Sequence, residues 1–426
     1  MNPVPDASSS LEDWLQYLEQ LHSSEIELGL ERVLIVYRRL AASRPRSRVI
    51  TVAGTNGKGS AVHAIEQLLI GSDRRTGAYS SPHIQRFNER IRINGEEVPD
   101  QVITAAFAKV EEARKSVPLT YFEFATLGAF CVFQEADPDF IVLEVGLGGR
   151  LDAVNCIDPD LAIITSIDLD HTQWLGEDRD LIGYEKAGIL RPDIPAIFGD
   201  TDPPDSVLQQ ARAQNVDLRV LGRDFGMEDG NAARHIVLDG PNGAWTLETR
   251  HNLTTDRLVA LQALLDLGVG VDAATLERAA RIAPLPGRFE RLPGKPEVVL
   301  DVGHNPHAAR WLAQRLADEA GARRVLAVYA SLRDKDSAGV VEALVDRVDE
   351  WFLAGLSDPR GQSAEALHEA VGDRLEGRMS GLHETIAEAL KAALTGAAED
   401  DIVLVFGSFY AVGEARSFMA CRQEAG

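Results

Sequence analysis

Gly54-Thr55-Asn56-Gly57-Lys58-Gly59-Ser60 places three glycines, a lysine and two hydroxyls within seven consecutive residues. Glycines let backbone N–H groups turn toward an anion. The start of a helix adds unpaired donors and a partial positive charge. Lys58 would reach the outer phosphates of a nucleoside triphosphate, and the Ser60 hydroxyl would sit near Mg²⁺. The pattern departs from the ordinary phosphate loop, which has four residues between its first Gly and Gly-Lys, with Ser or Thr directly after the Lys. Here only Thr55 and Asn56 separate the glycines, and Gly59 intervenes before Ser60. A plain glycine turn would use the same glycines. The order of strand, turn, lysine and helix is what favours a nucleoside triphosphate.

Other chemistry-bearing residues are more ambiguous. Glu144 closes an apolar run, where a carboxylate either holds Mg²⁺ or caps a neighbouring helix. His171 follows Asp168-Leu169-Asp170; Mg²⁺ prefers oxygen ligands, so the residues alone favour a structural histidine. Ser81 precedes Pro82 on a turn. Lys186, in Tyr184-Glu185-Lys186-Ala187-Gly188-Ile189, reads by itself as a surface lysine on a helix. Asp301, His304, Asn305 and Pro306 cluster at a strand end, where turn chemistry and ligand contact are both open. The aromatic stretch Tyr121-Phe122-Glu123-Phe124 would suit a flat ligand, but aromatics at helical spacing also build cores.

These residues need a scaffold. Arg48 to Ala53 is apolar and β-branched, a buried strand leading into the glycine loop, and Ala61 to Leu69 reads as the helix that follows. Residues 76–79, 140–145 and 161–167 read as further strands, and 101–114 and 121–135 as helices. Ser10 with Asp13 opens an amphipathic helix through a capping-box-like start. Strands alternating with helices predict a mostly parallel, doubly wound α/β sheet, whose ligands gather at the carboxyl ends of strands. Residues 201–250 are less regular and suggest a small antiparallel excursion. Ala283-Pro284-Leu285-Pro286-Gly287 breaks the pattern, and the alternation restarts with strands at 298–302, 325–329 and 402–406. The expected organisation is a large N-terminal P-loop-type domain over residues 1–283 that binds the nucleotide, a linker at 284–287, and a smaller Rossmann-like α/β domain over 288–426.

Length and charge agree with that division. At 426 residues the chain exceeds what one core usually spans. With 43 basic and 66 acidic residues the net charge is −23, which argues against a general nucleic-acid binder. Three cysteines without a C-x-x-C pair give neither a disulfide framework nor a zinc site. That usage fits a reducing, cytoplasmic setting. The first ten residues lack a basic-then-apolar signal, and no apolar run reaches membrane-spanning length.

Taken together, TVAGTNGKGS (51–60), YSSPHIQRFNERIRI (79–93), LTYFEFATLGAF (119–130), LEVGLGGRLDAVN (143–155), SIDLDHTQWLG (166–176), EKAGIL (185–190), LPGRFE (285–290) and DVGHNPHAA (301–309) resemble bacterial bifunctional dihydrofolate synthase/folylpolyglutamate synthases, within the Mur ligase superfamily. The resemblance covers nearly the whole chain. It implies ATP-dependent ligation of L-glutamate to dihydropteroate and to reduced folates through an acyl phosphate. It implies that Ser81, Glu144 and His171 bind Mg²⁺. It further implies that Lys186 is carbamylated and supports a second Mg²⁺, which makes Lys58, Lys186 and His171 the catalytic candidates. Leu28, Thr120, Phe122, Leu151 and Asp152 would contact the pterin substrate. Arg288 and Asp301 would contact ATP from the C-terminal domain, which puts the nucleotide between two domains. The family commonly has Asn where Asp256 stands, which puts that ATP contact in doubt. Gln173, Gly303 and Tyr410 also depart from the usual Asp, Ala and His. A monomer with small-molecule substrates is implied, with neither nucleic acid nor membrane as partner. Three other readings remain: a folylpolyglutamate synthase lacking dihydropteroate activity, a cell-wall Mur ligase, and a nucleotide-binding regulator without catalysis. Only a short segment precedes Val49, against the further N-terminal domain usual in cell-wall enzymes.

Overall fold

The computed structural model describes residues 4–6, 8–22, 27–40, 44–230, 234–240, 243–321 and 323–424. They divide into two units, Met1–Ala283 and Pro284–Gly426. The N-terminal unit contains strands β1 (Arg48–Ala53), β2 (Thr76–Tyr79), β3 (Ile91–Ile93), β4 (Glu96–Glu97), β5 (Phe140–Glu144), β6 (Leu161–Ile164), β7 (Pro195–Phe198) and β8 (Asp217–Val220) in one sheet. Its order is β4-β3-β2-β5-β1-β6-β7-β8, with β3 and β4 antiparallel at one edge and the other six strands parallel.

Alternation along these strands builds two cores. Val49, Ala53, Ile141, Leu143, Ala162 and Ile164 join one cluster with the helices Leu11–Leu21, Glu31–Leu40, Asp100–Arg114 and Tyr121–Ala136. Ile50, Val52, Phe140, Val142, Leu161 and Ile163 face the other cluster, with the helices Lys58–Ile70 and Thr255–Asp266. A parallel sheet covered on both faces needs such continuous apolar strands. The capping box of Ser10 and Asp13 is formed, and it starts the helix that buries Trp14 against Phe107 and Phe124.

The connectivity creates the site. β1 lies between β5 and β6, so the loop leaving its carboxyl end is flanked by the loops leaving theirs. The strand expected over 161–167 stops at Ile164. The next residues serve the glycine loop instead, with Thr55 N–H donating to the Ser166 carbonyl at 2.8 Å. β7 and β8 have no counterpart in the sequence reading. The excursion after them is a three-stranded antiparallel sheet, β9 (Gly226–Asp229), β10 (Arg234–Gly240) and β11 (Gly243–Thr249).

The C-terminal unit has its own sheet of β12 (Glu290–Leu292), β13 (Glu297–Asp301), β14 (Val325–Tyr329), β15 (Glu350–Ala354), β16 (Met379–His383) and β17 (Ile402–Phe406), in the order β12-β13-β17-β14-β15-β16. All pairs are parallel except β12 with β13. Among the described residues no helix is long and apolar enough to cross a membrane.

Candidate active site

The glycine loop is shaped by contacts that only glycine permits. Gly54 has φ 151°, and a Cβ there would lie 1.9 Å from the Thr165 hydroxyl oxygen. That hydroxyl donates to the Asn56 carbonyl at 2.6 Å. Gly57, at φ 81°, turns the chain into the helix beginning at Lys58, so the first N–H groups of that helix crown the loop. Thr55 Oγ1 lies 3.1 Å from both the carbonyl and the amide nitrogen of Asp168, fastening the loop to the segment after β6. Thr165 is a positioning residue that sequence reading missed; its only signal is a hydroxyl directly after an apolar strand.

Two lysines converge here. Lys58 Nζ donates to the carbonyls of Gly54 at 3.0 Å and Thr55 at 3.2 Å. Lys186 Nζ donates to the same Gly54 carbonyl at 2.9 Å. The reading of Lys186 as a surface lysine is wrong. It lies near the end of the helix Arg179–Ala187 but is 4% exposed, because that helix end packs its backbone on the Gly146–Arg150 loop. Arg150 N–H donates to the Glu185 carbonyl there at 2.8 Å. Burial, and then the charge of Lys58, bring the Lys186 amine down to about 7. Asp170 and Asp152 oppose the shift. Asp152 is itself pushed up to about 7 by burial, although its carboxylate accepts the Leu147 and Val154 N–H groups at 2.8 and 3.0 Å.

Glu144, at the end of β5, is 4% exposed, and its Oε2 accepts the Ser81 N–H at 3.1 Å. His171 caps the helix Thr172–Leu175 in a left-handed conformation (φ 51°), its N–H held by the Asp170 carboxylate at 2.8 Å. Glu144 and Ser81 supply hard oxygen atoms at the rim that carries Lys58, which suits Mg²⁺, a cation that takes one or two protein carboxylates and completes its shell with water and phosphate. The unmodified Lys186 ammonium, beside Lys58, suits no cation. Among the described residues no group of three or more His, Cys, Asp and Glu is gathered for a metal.

The remaining candidates fall into three places. The Phe122 ring covers Gly146, where a Cβ would lie 2.6 Å from it, and stands 6.1 Å from Tyr79, joining the aromatic helix start to the loop of Leu151 and Asp152. Thr120 caps that helix in a reciprocal box with Glu123. The Glu123 carboxylate receives Arg32 Nη2 at 2.9 Å, and the same Nη2 donates to the Glu27 carbonyl at 2.9 Å, drawing the Leu28 segment to Thr120. Arg32→Leu leaves a buried carboxylate unpaired. It is expected to cost about 2–3 kcal/mol, seen as a lower urea midpoint by the fluorescence of Trp14 and its fellow tryptophans.

Asp256 lies in the first turn of the helix Thr255–Asp266; burial raises its carboxyl, and the Thr254 hydroxyl, then the Arg257 guanidinium, oppose that. In the C-terminal unit, Asp301 is 4% exposed and accepts the N–H groups of Phe289 and Gly303 at 2.8 and 2.7 Å. Burial raises its carboxyl, against the pull of the Arg288 guanidinium, which stands 5.0 Å over the Phe409 ring.

Comparison with known proteins adds the wider context. The Mur ligase middle domain matches residues 52–236, and the Mur ligase glutamate ligase domain matches residues 287–409. The Escherichia coli (strain K12) dihydrofolate synthase/folylpolyglutamate synthase is 42% identical over 432 residues, covering 99% of both chains. The structure of E. coli FolC in complex with DHPP and ADP superposes with a TM-score of 0.92 at 41% identity, over 98% of this chain and 100% of that one. A bifunctional folylpolyglutamate synthase/dihydrofolate synthase with Mn, AMPPNP and L-glutamate bound gives a TM-score of 0.89 at 40% identity, over 98% and 100% of the two chains.

Proposed function

We propose that this chain, which belongs to the dihydrofolate synthase/folylpolyglutamate synthase family of Mur ligases, uses ATP to join L-glutamate to dihydropteroate and to reduced folates. The observation that carries the reading is the convergence of Lys58 and Lys186 on the Gly54 carbonyl, at a glycine loop bordered by Glu144 and Ser81.

The chemistry follows from what a carboxylate lacks. Its oxyanion resists nucleophilic attack, so an oxygen of the pteroate or folate carboxylate first attacks the γ-phosphorus of ATP. The bond from that phosphorus to the β–γ bridging oxygen breaks, giving an acyl phosphate and ADP. The α-amine of glutamate then adds to the acyl carbon, and the tetrahedral intermediate expels phosphate as the amine proton is lost. Lys58 and the loop N–H groups spread the charge that develops on the transferred phosphoryl. A divalent cation, when bound by Ser81, Glu144 and His171, would supply further charge neutralisation. Phe122, Thr120, Leu28, Leu151 and Asp152 remain the candidates for holding the pterin, and Asp256, Arg288 and Asp301 for the nucleotide.

Lys186 is assigned here to carbamylation. Its neutral amine adds to CO₂ with loss of a proton, forming a C–N bond and a carbamate in place of an ammonium. The low amine pKa supports this, and so does the mismatch between a second ammonium beside Lys58 and a cation site.

The test is glutamate-dependent phosphate release from MgATP, with dihydropteroate in one reaction and tetrahydrofolate in another, and products weighed by mass spectrometry. Release with both, each product heavier by one glutamyl unit, is expected. Release with tetrahydrofolate alone reduces the activity to polyglutamate synthesis, and silence with both overturns the reading.

A further inference from the structure

The opposite rim of the N-terminal sheet, where β1 begins, carries two adjoining cavities that share Arg46 and Asp137. One, of about 310 Å³, has an apolar wall built from Tyr37, Leu40, Phe130, Phe133 and Ile157. That volume is at the lower end of small-molecule pockets. Tyr37 and Phe130 meet edge to face at 5.8 Å, and burial holds the Tyr37 hydroxyl neutral by moving it up to about 12. The other cavity, of about 410 Å³, is lined by Arg46, Arg48 and Arg74 together with Asp137 and Asp139.

The charges here are not evenly engaged. Arg44 pairs with Asp160 at 2.9 Å. Arg48 donates to the Leu267 carbonyl and stands 5.8 Å over the Phe140 ring. The Asp139 carboxylate accepts the Arg75 N–H at 2.9 Å. The exposed guanidiniums of Arg46 and Arg74 have no hydrogen bond or ion pair among the described residues. Four arginines and two aspartates therefore line the paired cavities of a chain whose net charge is −23. An arginine fork matches carboxylate and phosphate oxygens alike.

We propose that this rim is a second small-molecule site, which takes a small aromatic anion, ring against Tyr37 and Phe130 and charge toward Arg46 and Arg74. The site is separate from the glycine loop. Arg48 opens β1 and the loop leaves its other end, about 17–20 Å away at strand rise. The helix Tyr121–Ala136 joins the two regions, with Phe122 at one end and Phe130 and Phe133 toward the other.

The test is isothermal titration of the full chain with benzoate and with phenyl phosphate, against benzyl alcohol and inorganic phosphate as half-probes. At least one aromatic anion is expected to bind about tenfold or more tightly than either half-probe. The double variant Arg46→Glu/Arg74→Glu, at two exposed positions, should weaken that binding about tenfold or more while leaving the melting temperature and MgATP binding unchanged. Gln134→Trp, at an exposed lining position, should weaken it by partly filling the cavity. The proposal is overturned if neither aromatic anion binds at millimolar concentration, if binding survives both variants, or if inorganic phosphate binds as tightly as phenyl phosphate and benzoate.

Discussion

Lys58→Met is expected to lower glutamate-dependent ATP turnover by about a hundred- to a thousandfold while the fold survives. The range is that for removing one preorganised donor from developing transition-state charge. Methionine keeps the length and apolar stem of the side chain and removes only the ammonium. Its bonds to the Gly54 and Thr55 carbonyls stay within the loop itself, so neither of them ties a strand or helix to the rest of the fold. The far-ultraviolet circular dichroism and the melting temperature should therefore stay near wild type. On the proposed mechanism the loss should fall mainly on kcat, because the loop N–H groups would still hold the nucleotide. Turnover within a few fold of wild type would remove Lys58 from the mechanism. A collapse of the fold would show the bonds to Gly54 and Thr55 to be structural.

The same variant has a second consequence. The charge of Lys58 is the second cause, after burial, of the lowered Lys186 amine. Removing it should move Lys186 upward, toward an ordinary lysine. The two residues thus meet at one carbonyl, and the charge of Lys58 bears on the ionisation of Lys186, so they are best studied as a pair.

Much of this arrangement was legible in the chain. A glycine loop between an apolar strand and a helix can be read locally, because glycine, lysine and strand signals all lie within about twenty residues of each other. The parallel sheet was legible from continuous β-branched runs such as Val49-Ile50-Thr51-Val52. β7 and β8 were not, because each is four residues long and β7 opens on Pro195, which weakens any strand signal. The burial of Lys186 was hidden for a different reason. Its helix shows an ordinary amphipathic surface in sequence, and only the packing of that helix end on Gly149 and Arg150 takes the amine out of water. The Arg32 to Glu123 link joins residues 91 positions apart, and nothing local announces it. The resemblance, rather than residue chemistry, brought Lys186, Leu28 and Thr120 to notice.

Lys186 gives the second large effect. With its amine lowered to about 7, roughly half is neutral at neutral pH, against roughly one in three thousand for an ordinary lysine. A neutral amine is the species that adds to CO₂. In protein free of nucleotide and metal, carbon-13-labelled bicarbonate should give a carbamate signal by NMR that Lys186→Ala lacks. At fixed dissolved CO₂, carbamate formation releases one proton, so apparent affinity falls about tenfold per unit drop in pH on the alkaline side. Below about 7 the amine must also lose a proton, and the fall steepens to about a hundredfold per unit. The stability linkage has the same direction. Between about 7 and 10.5 the unfolded chain binds a proton that the folded amine does not, so this group makes stability rise with pH across that window and imposes its full penalty below it. Lys186→Gln should cut ligation by about a hundredfold or more, and depleting CO₂ from the wild type should lower activity reversibly, restored by bicarbonate. A wild type indifferent to CO₂, with no carbamate signal at pH 8, would leave Lys186 as a buried amine anchoring Gly54. In Lys58→Met the break in slope should move above 7, and a break that stays in place would uncouple the two lysines.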